Sequence, residues 1–116
     1  MPLPTTPSVL HIVPNGPGVP DSITFVGHRI DLNHVLDRYH AGMTADEIAQ
    51  EFDTLPLANI QAAIAYYEQH RAALDIWLAS VHHYLDHERQ EYERQHPEVV
   101  ARQRRILAAI QQRQQP

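Results

Sequence analysis

Residues 44 to 67, TADEIAQEFDTLPLANIQAAIAYY, decide how the rest of the chain reads. Thr44 followed three residues later by Glu47 is a capping box, in which each side chain satisfies the other residue's free backbone N–H at a helix start. The helix it opens turns Ile48, Ala49 and Phe52 to one side. Asp53 to Pro56 then forms a turn, and Pro56 suits the first turn of a new helix because its fixed φ is already helical and its missing N–H has no partner there to lose. Leu57, Ile60, Ile64 and Tyr67 give that next helix an apolar stripe. Helix, tight turn and helix in this order predict a helix-turn-helix-like unit whose last helix shows its outer face.

Upstream, Leu32, Val35, Leu36 and Tyr39 recur at helical spacing, and Gly42 stops that helix. Before it lie two short β-prone runs, Val9 to Val13 and Ile23 to Val26, separated by Asn15-Gly16 and further turn residues. They predict a small hairpin, which needs a helix layer or a second subunit's strands to be stable. Pro2, Pro4 and Pro7 exclude helix from residues 1–8, which read as a disordered tail. Residues 9–72 read as a strand pair with a helix-turn-helix-like core, and residues 73–116 as a C-terminal helical arm.

In that arm Leu74, Leu78, Val81, Leu85, Glu88 and Tyr92 alternate spacings of four and three, a heptad-like seam with one charged interruption. His96-Pro97 breaks the helix, since the residue before proline is pushed out of the α region. A last amphipathic stretch runs through Val99, Ile106 and Ile110, with Gln111 to Pro116 expected to fray. The predicted class is mainly α: an N-terminal β-hairpin, a three-helix core and a long helical arm.

The chain has 116 residues, 43% hydrophobic and 20% charged, enough for one domain with one core. It contains no cysteine, which rules out disulfides, zinc-thiolate sites and thiol catalysis, and suits a reducing compartment. With neither a secretory leader pattern nor a long apolar run, the expected location is the cytoplasm, away from the membrane. The net charge of −5 is unevenly spread. Residues 1–72 hold three arginines against eight acids, whereas every charged residue after Glu98 is an arginine: Arg102, Arg104, Arg105 and Arg113.

The run from Ile23 to Tyr67 carries Gly27-His28-Arg29-Ile30, then Tyr39-His40-Ala41-Gly42-Met43-Thr44, Asp46-Glu47-Ile48 and Asn59-Ile60-Gln61-Ala62-Ala63-Ile64-Ala65-Tyr66. In these residues and their order it resembles the family of small domains of unknown function numbered four-three-three. The resemblance implies a VapB-type antitoxin with a helix-turn-helix fold, encoded beside a PIN-like ribonuclease toxin. Two features depart from the family: Gly27-His28-Arg29 stands for its Gly-Thr-Arg, and Gly16-Pro17-Gly18 for its paired glycines. The extension after Leu78 lies outside the resemblance.

For operator DNA the candidates are Arg29, Arg38, Asn59, Gln61 and Gln69, residue types that neutralise phosphate or bond base edges. Ala58, Ala62, Ala65 and Gln69 are expected to point outward, with Asn59, Gln61 and Tyr66 on the flanks. That alanine ridge and the acidic first 72 residues both favour a protein partner over phosphate. For that partner the candidates are Leu74, Trp77, Leu78, Val81, Tyr84, Leu85 and Tyr92. His83, His87 and Glu91 share a helix face, but without a fourth ligand they read as surface, so no metal or cofactor is expected. Ser8, Ser22 and Ser80 lie in no nucleophile setting, and the chain is not read as an enzyme. Two readings stay open. One is an antitoxin that dimerises, binds a PIN-like toxin and contacts operator DNA; the other is a self-associating interaction module with no nucleic-acid role.

Overall fold

The computed structural model describes residues 3–114. Two strands and five helices follow in order among them: β1 (Leu10–Val13), β2 (Ser22–Phe25), α1 (Leu32–His40), α2 (Ala45–Glu51), α3 (Leu57–Gln69), α4 (Arg71–Gln95) and α5 (Pro97–Gln114). The chain divides within α4 into two compact units, residues 1–82 and residues 83–116. The fold is mainly helical with an N-terminal two-stranded hairpin.

In the first unit β1 and β2 pair antiparallel, Leu10 opposite Phe25 and Val13 opposite Ser22. The pleat sends Leu10, Ile23 and Phe25 into the core and leaves His11 and Val13 exposed. The connecting loop is held by Asn15, whose side-chain amide donates to the Pro20 carbonyl at 2.9 Å and to Ser22 Oγ at 2.8 Å. Thr24 Oγ1 donates to Asp31 Oδ1 at 2.7 Å, fastening β2 to the residue that precedes α1.

The three core helices form as their sequence signals require. α1 buries Leu32, Val35 and Leu36 and gives way at Gly42, whose φ of +96° is the left-handed region that glycine reaches without strain. The capping box is complete: Thr44 Oγ1 accepts from the Glu47 N–H at 3.2 Å, and Glu47 Oε1 accepts from the Thr44 N–H at 3.0 Å. α2 buries Ile48, while Ala49 and Phe52 pack half-buried against the same core. Pro56 takes the N-cap position with extended φ/ψ, and α3 starts one residue later.

Three expectations change. Residues 3–8 are not loose: Leu3 packs against the core, and the Pro4 carbonyl accepts the Tyr66 hydroxyl at 2.7 Å. That bond also corrects the position of Tyr66, which is buried at 4% exposure and not on a flank. A single apolar stripe on α3 is thereby widened, since the N-terminal segment adds a second surface for the helix to cover. At the other end α5 runs through Gln114, so helix continues past Gln111; residues 1, 2, 115 and 116 lie outside the described residues.

α4 begins as a core helix. Leu74, Trp77 and Leu78 are buried, and the Trp77 indole N–H donates to the Asp21 carbonyl at 2.7 Å, joining α4 to the hairpin loop. His82 Nε2 lies 2.8 Å from Asp37 Oδ1 on α1. In the second unit Arg89 pairs with Asp86 and Glu93, and Arg94 bonds Glu91 at 2.6 Å, all on α4.

Candidate functional site

The densest polar arrangement in the first unit was not foreseen from sequence. It gathers Tyr39 and His40 from the end of α1, Tyr67 and Glu68 from α3, and Arg71 and Asp75 from the start of α4. The buried Tyr67 hydroxyl donates to Asp75 Oδ1 at 2.6 Å and lies 2.8 Å from His40 Nε2. A hydroxyl has one hydrogen, so with that hydrogen on Asp75 the imidazole Nε2 must carry the proton of the second bond. Tyr39 donates to Glu68 Oε1 at 2.6 Å, while Arg71 grips both Glu68 oxygens at 2.9 and 3.0 Å and lies over the Tyr67 ring at 5.1 Å.

The electrostatics follow from these contacts. Burial first, and then the bond to Asp75, push the Tyr67 hydroxyl up to about 12. The hydrogen bonds from Arg71 and then Tyr39 hold the Glu68 carboxyl down to about 2. Bonding to Glu68 raises Arg71 and Tyr39 alike, and burial raises Tyr66. A general base or nucleophile needs a free lone pair near the operating pH, and here each polar head is engaged by another. The cluster therefore works as a clamp joining α1, α3 and α4.

Tyr67 is more readily neutral in the folded state than in the unfolded one. Its contribution is whole below the ordinary tyrosine value of 10 and fades as pH rises towards about 12. In an alkaline titration followed by tyrosinate absorbance, one late step is expected to coincide with loss of helical circular dichroism. Tyr67→Phe should abolish that step and cost about 1–2 kcal/mol of stability at neutral pH. A step unchanged in the variant would assign it to another tyrosine.

The DNA candidates do not form one surface. Arg29 is exposed in the turn between β2 and α1. Arg38 is committed elsewhere: its Nε donates to Glu51 Oε1 at 3.0 Å, and its guanidinium lies 5.2 Å from the Phe52 ring centre, tying α1 to α2. On α3, Asn59 is half-buried, whereas Gln61 and Gln69 are exposed. Asn59 and Gln61 sit about 200° apart around the helix axis, and Gln69 is about 12 Å further along from Gln61. Ala58 and Ala65 are exposed and Ala62 half-buried, so the ridge between these amides is partly open.

The partner candidates divide along α4. Leu74, Trp77 and Leu78 are buried in the first unit's core, and Val81 packs half-buried against it. In the second unit Tyr84 is half-buried, while Leu85 and Tyr92 are 49% and 54% exposed. On α5 Ile106, Leu107 and Ile110 are exposed as well, and of these Leu107 was not singled out from sequence. Its signal was available, since it lies seven residues after Val100 on the same helix face. His83 and His87 are exposed and Glu91 is bonded to Arg94; among the described residues no group of three histidine or carboxylate side chains is placed to hold a metal. Nor, among those residues, is any helix long and apolar enough to cross a membrane.

Fold and side-chain placement together define a small, mainly α protein with a helix-turn-helix-like core and a helical extension. Residues 22–67 match the family described as Protein of unknown function (DUF433). The matched segment runs from β2 to Tyr67 in α3, leaving β1, α4 and α5 outside it. No curated protein and no solved structure matches the chain.

Proposed function

We propose that this chain is a non-catalytic binding protein, the antitoxin-like member of a type II toxin–antitoxin pair that neutralises a PIN-like ribonuclease. The observation that carries the reading is the row of exposed large apolar side chains in the second unit, Leu85 and Tyr92 on α4 with Ile106, Leu107 and Ile110 on α5. Apolar surface of this kind, repeated along helices and rimmed by charge, marks a docking face for protein. Support also comes from the resemblance of the core to VapB-type antitoxins. Operator DNA is a secondary ligand on this reading, because Arg38 is engaged by Glu51 and the acidic first 72 residues oppose phosphate.

Co-expression with a PIN-like nuclease encoded beside the gene tests the proposal. Growth should be restored and the two proteins should co-purify, while replacing Leu85, Tyr92, Ile106, Leu107 and Ile110 by serine should abolish both effects with the core still folded. A nuclease that stays toxic and separates from the intact chain would overturn the reading. DNA binding, measured by fluorescence anisotropy, should be weak and fall steeply with salt; a tight complex at about 200 mM salt would contradict it.

A further inference from the structure

The second unit has two helical stretches of opposite charge, and each carries exposed large apolar side chains, Leu85 and Tyr92 on α4 and Ile106, Leu107 and Ile110 on α5. Between His83 and Gln95, α4 holds Asp86, Glu88, Glu91 and Glu93 against Arg89 and Arg94, a net of −2. α5 holds Arg102, Arg104, Arg105 and Arg113 against Glu98, a net of +3 through Gln114. The two arginines of the α4 stretch are spent within their own helix on Asp86, Glu93 and Glu91. Among the described residues none of the four α5 arginines is within ion-pair reach of an acid.

The apolar faces match this division. Leu85 and Tyr92 lie on the side of α4 that continues from Val81, with Glu88 inside the face. On α5, Val99, Val100, Ile106, Leu107 and Ile110 fall within about 120° of the helix circumference, flanked by Arg102 on one side and Arg104 on the other.

We propose that this unit is a pairing device for a second copy of the same chain, in which α5 of one copy lies antiparallel against the His83–Gln95 stretch of α4 in the other. Charge selects the direction. Parallel pairing sets Arg102, Arg104 and Arg105 against the same three arginines, and acids against acids. Antiparallel pairing about a twofold axis near His96 sets residues 86–93 opposite residues 99–106, so acid meets arginine twice in each dimer. The same register brings Leu85 opposite Leu107 and Tyr92 opposite Val100, covering the exposed apolar groups with one another. The inference shares its surface with the antitoxin reading but needs no nuclease; a nuclease would take the place of the second copy on that apolar row.

The full-length chain in sedimentation equilibrium at micromolar concentration should be a dimer. The α5 reversal R102E/R104E/R105E should weaken association at least about tenfold, and adding E88R/E91R/E93R to the same chain should restore it, since both charge blocks are then exchanged. Circular dichroism monitors helix content throughout. In this cysteine-free protein, His96→Cys should cross-link to a covalent dimer on mild oxidation, whereas Gln111→Cys, far from its twofold mate, should not. A monomeric wild-type chain, an α5 reversal without effect, a combined variant that stays dissociated, or cross-linking at residue 111 overturns the proposal. A dimer that fails to neutralise the nuclease overturns the antitoxin reading alone; a monomer that neutralises it overturns the pairing alone.

Discussion

Replacing Trp77 by alanine is expected to lower the stability of the protein by about 3–5 kcal/mol, a large share of what a domain of this size has to lose. Trp77 is the chain's one tryptophan and is 6% exposed among the core side chains. Truncation removes the largest apolar group in that core and leaves a cavity that surrounding helices can close only in part. It also deletes the indole N–H that bonds the Asp21 carbonyl, the tie between α4 and the hairpin loop. Trp77→Phe separates the two effects: most of the ring volume stays, the hydrogen bond goes, and the expected cost falls to about 1–2 kcal/mol plus a residual cavity. Urea unfolding followed by circular dichroism measures both, since neither variant retains the indole fluorophore. If Trp77 served a partner and not the fold, Trp77→Ala would leave the urea midpoint where it is and lower affinity alone.

That contrast marks where the sequence was legible and where it was not. The capping box at Thr44 and Glu47, the stop at Gly42, the proline before α3 and the break at His96-Pro97 are local signals, each acting within a few residues, and the helices begin and end beside them. Tyr66 was misplaced because its burial depends on Pro4, 62 residues away in the chain. The clamp around Tyr67 has the same cause: His40 lies 27 residues before it, and Tyr39 lies 29 before Glu68. One half of the clamp was within reach of sequence reading, since Glu68 and Arg71 are an i, i+3 pair of opposite charge. The seam from Leu74 to Tyr92 shows a different limit. An apolar stripe at helical spacing looks the same whether its cover comes from the helix's own core or from another chain, and here burial ends near Val81 while the pattern continues.

Deleting residues 83–116 is therefore expected to leave a folded protein, whereas deleting residues 73–116 is expected to unfold it. The shorter deletion removes no buried residue, since the core extends no further along the chain than Leu78, with Val81 packed at its margin. The longer one strips out Leu74, Trp77 and Leu78 together with Asp75, the acceptor for the buried Tyr67 hydroxyl. Three large side chains at about 2–5 kcal/mol each sum to about 6–15 kcal/mol, as large as the roughly 5–15 kcal/mol that a domain holds in reserve. The longer deletion also takes these three side chains out of the one buried cluster they share with Ile23, Phe25 and Tyr67. Thermal unfolding and amide exchange of the two fragments decide the matter: a cooperative transition with protected α1 and α3 amides is expected for residues 1–82, and broad loss of both for residues 1–72. A cooperative, protected fragment 1–72 would mean that the first turns of α4 are dispensable to the core; a disordered 1–82 would mean that the fold depends on the second unit, by way of a second copy if the pairing through α5 holds.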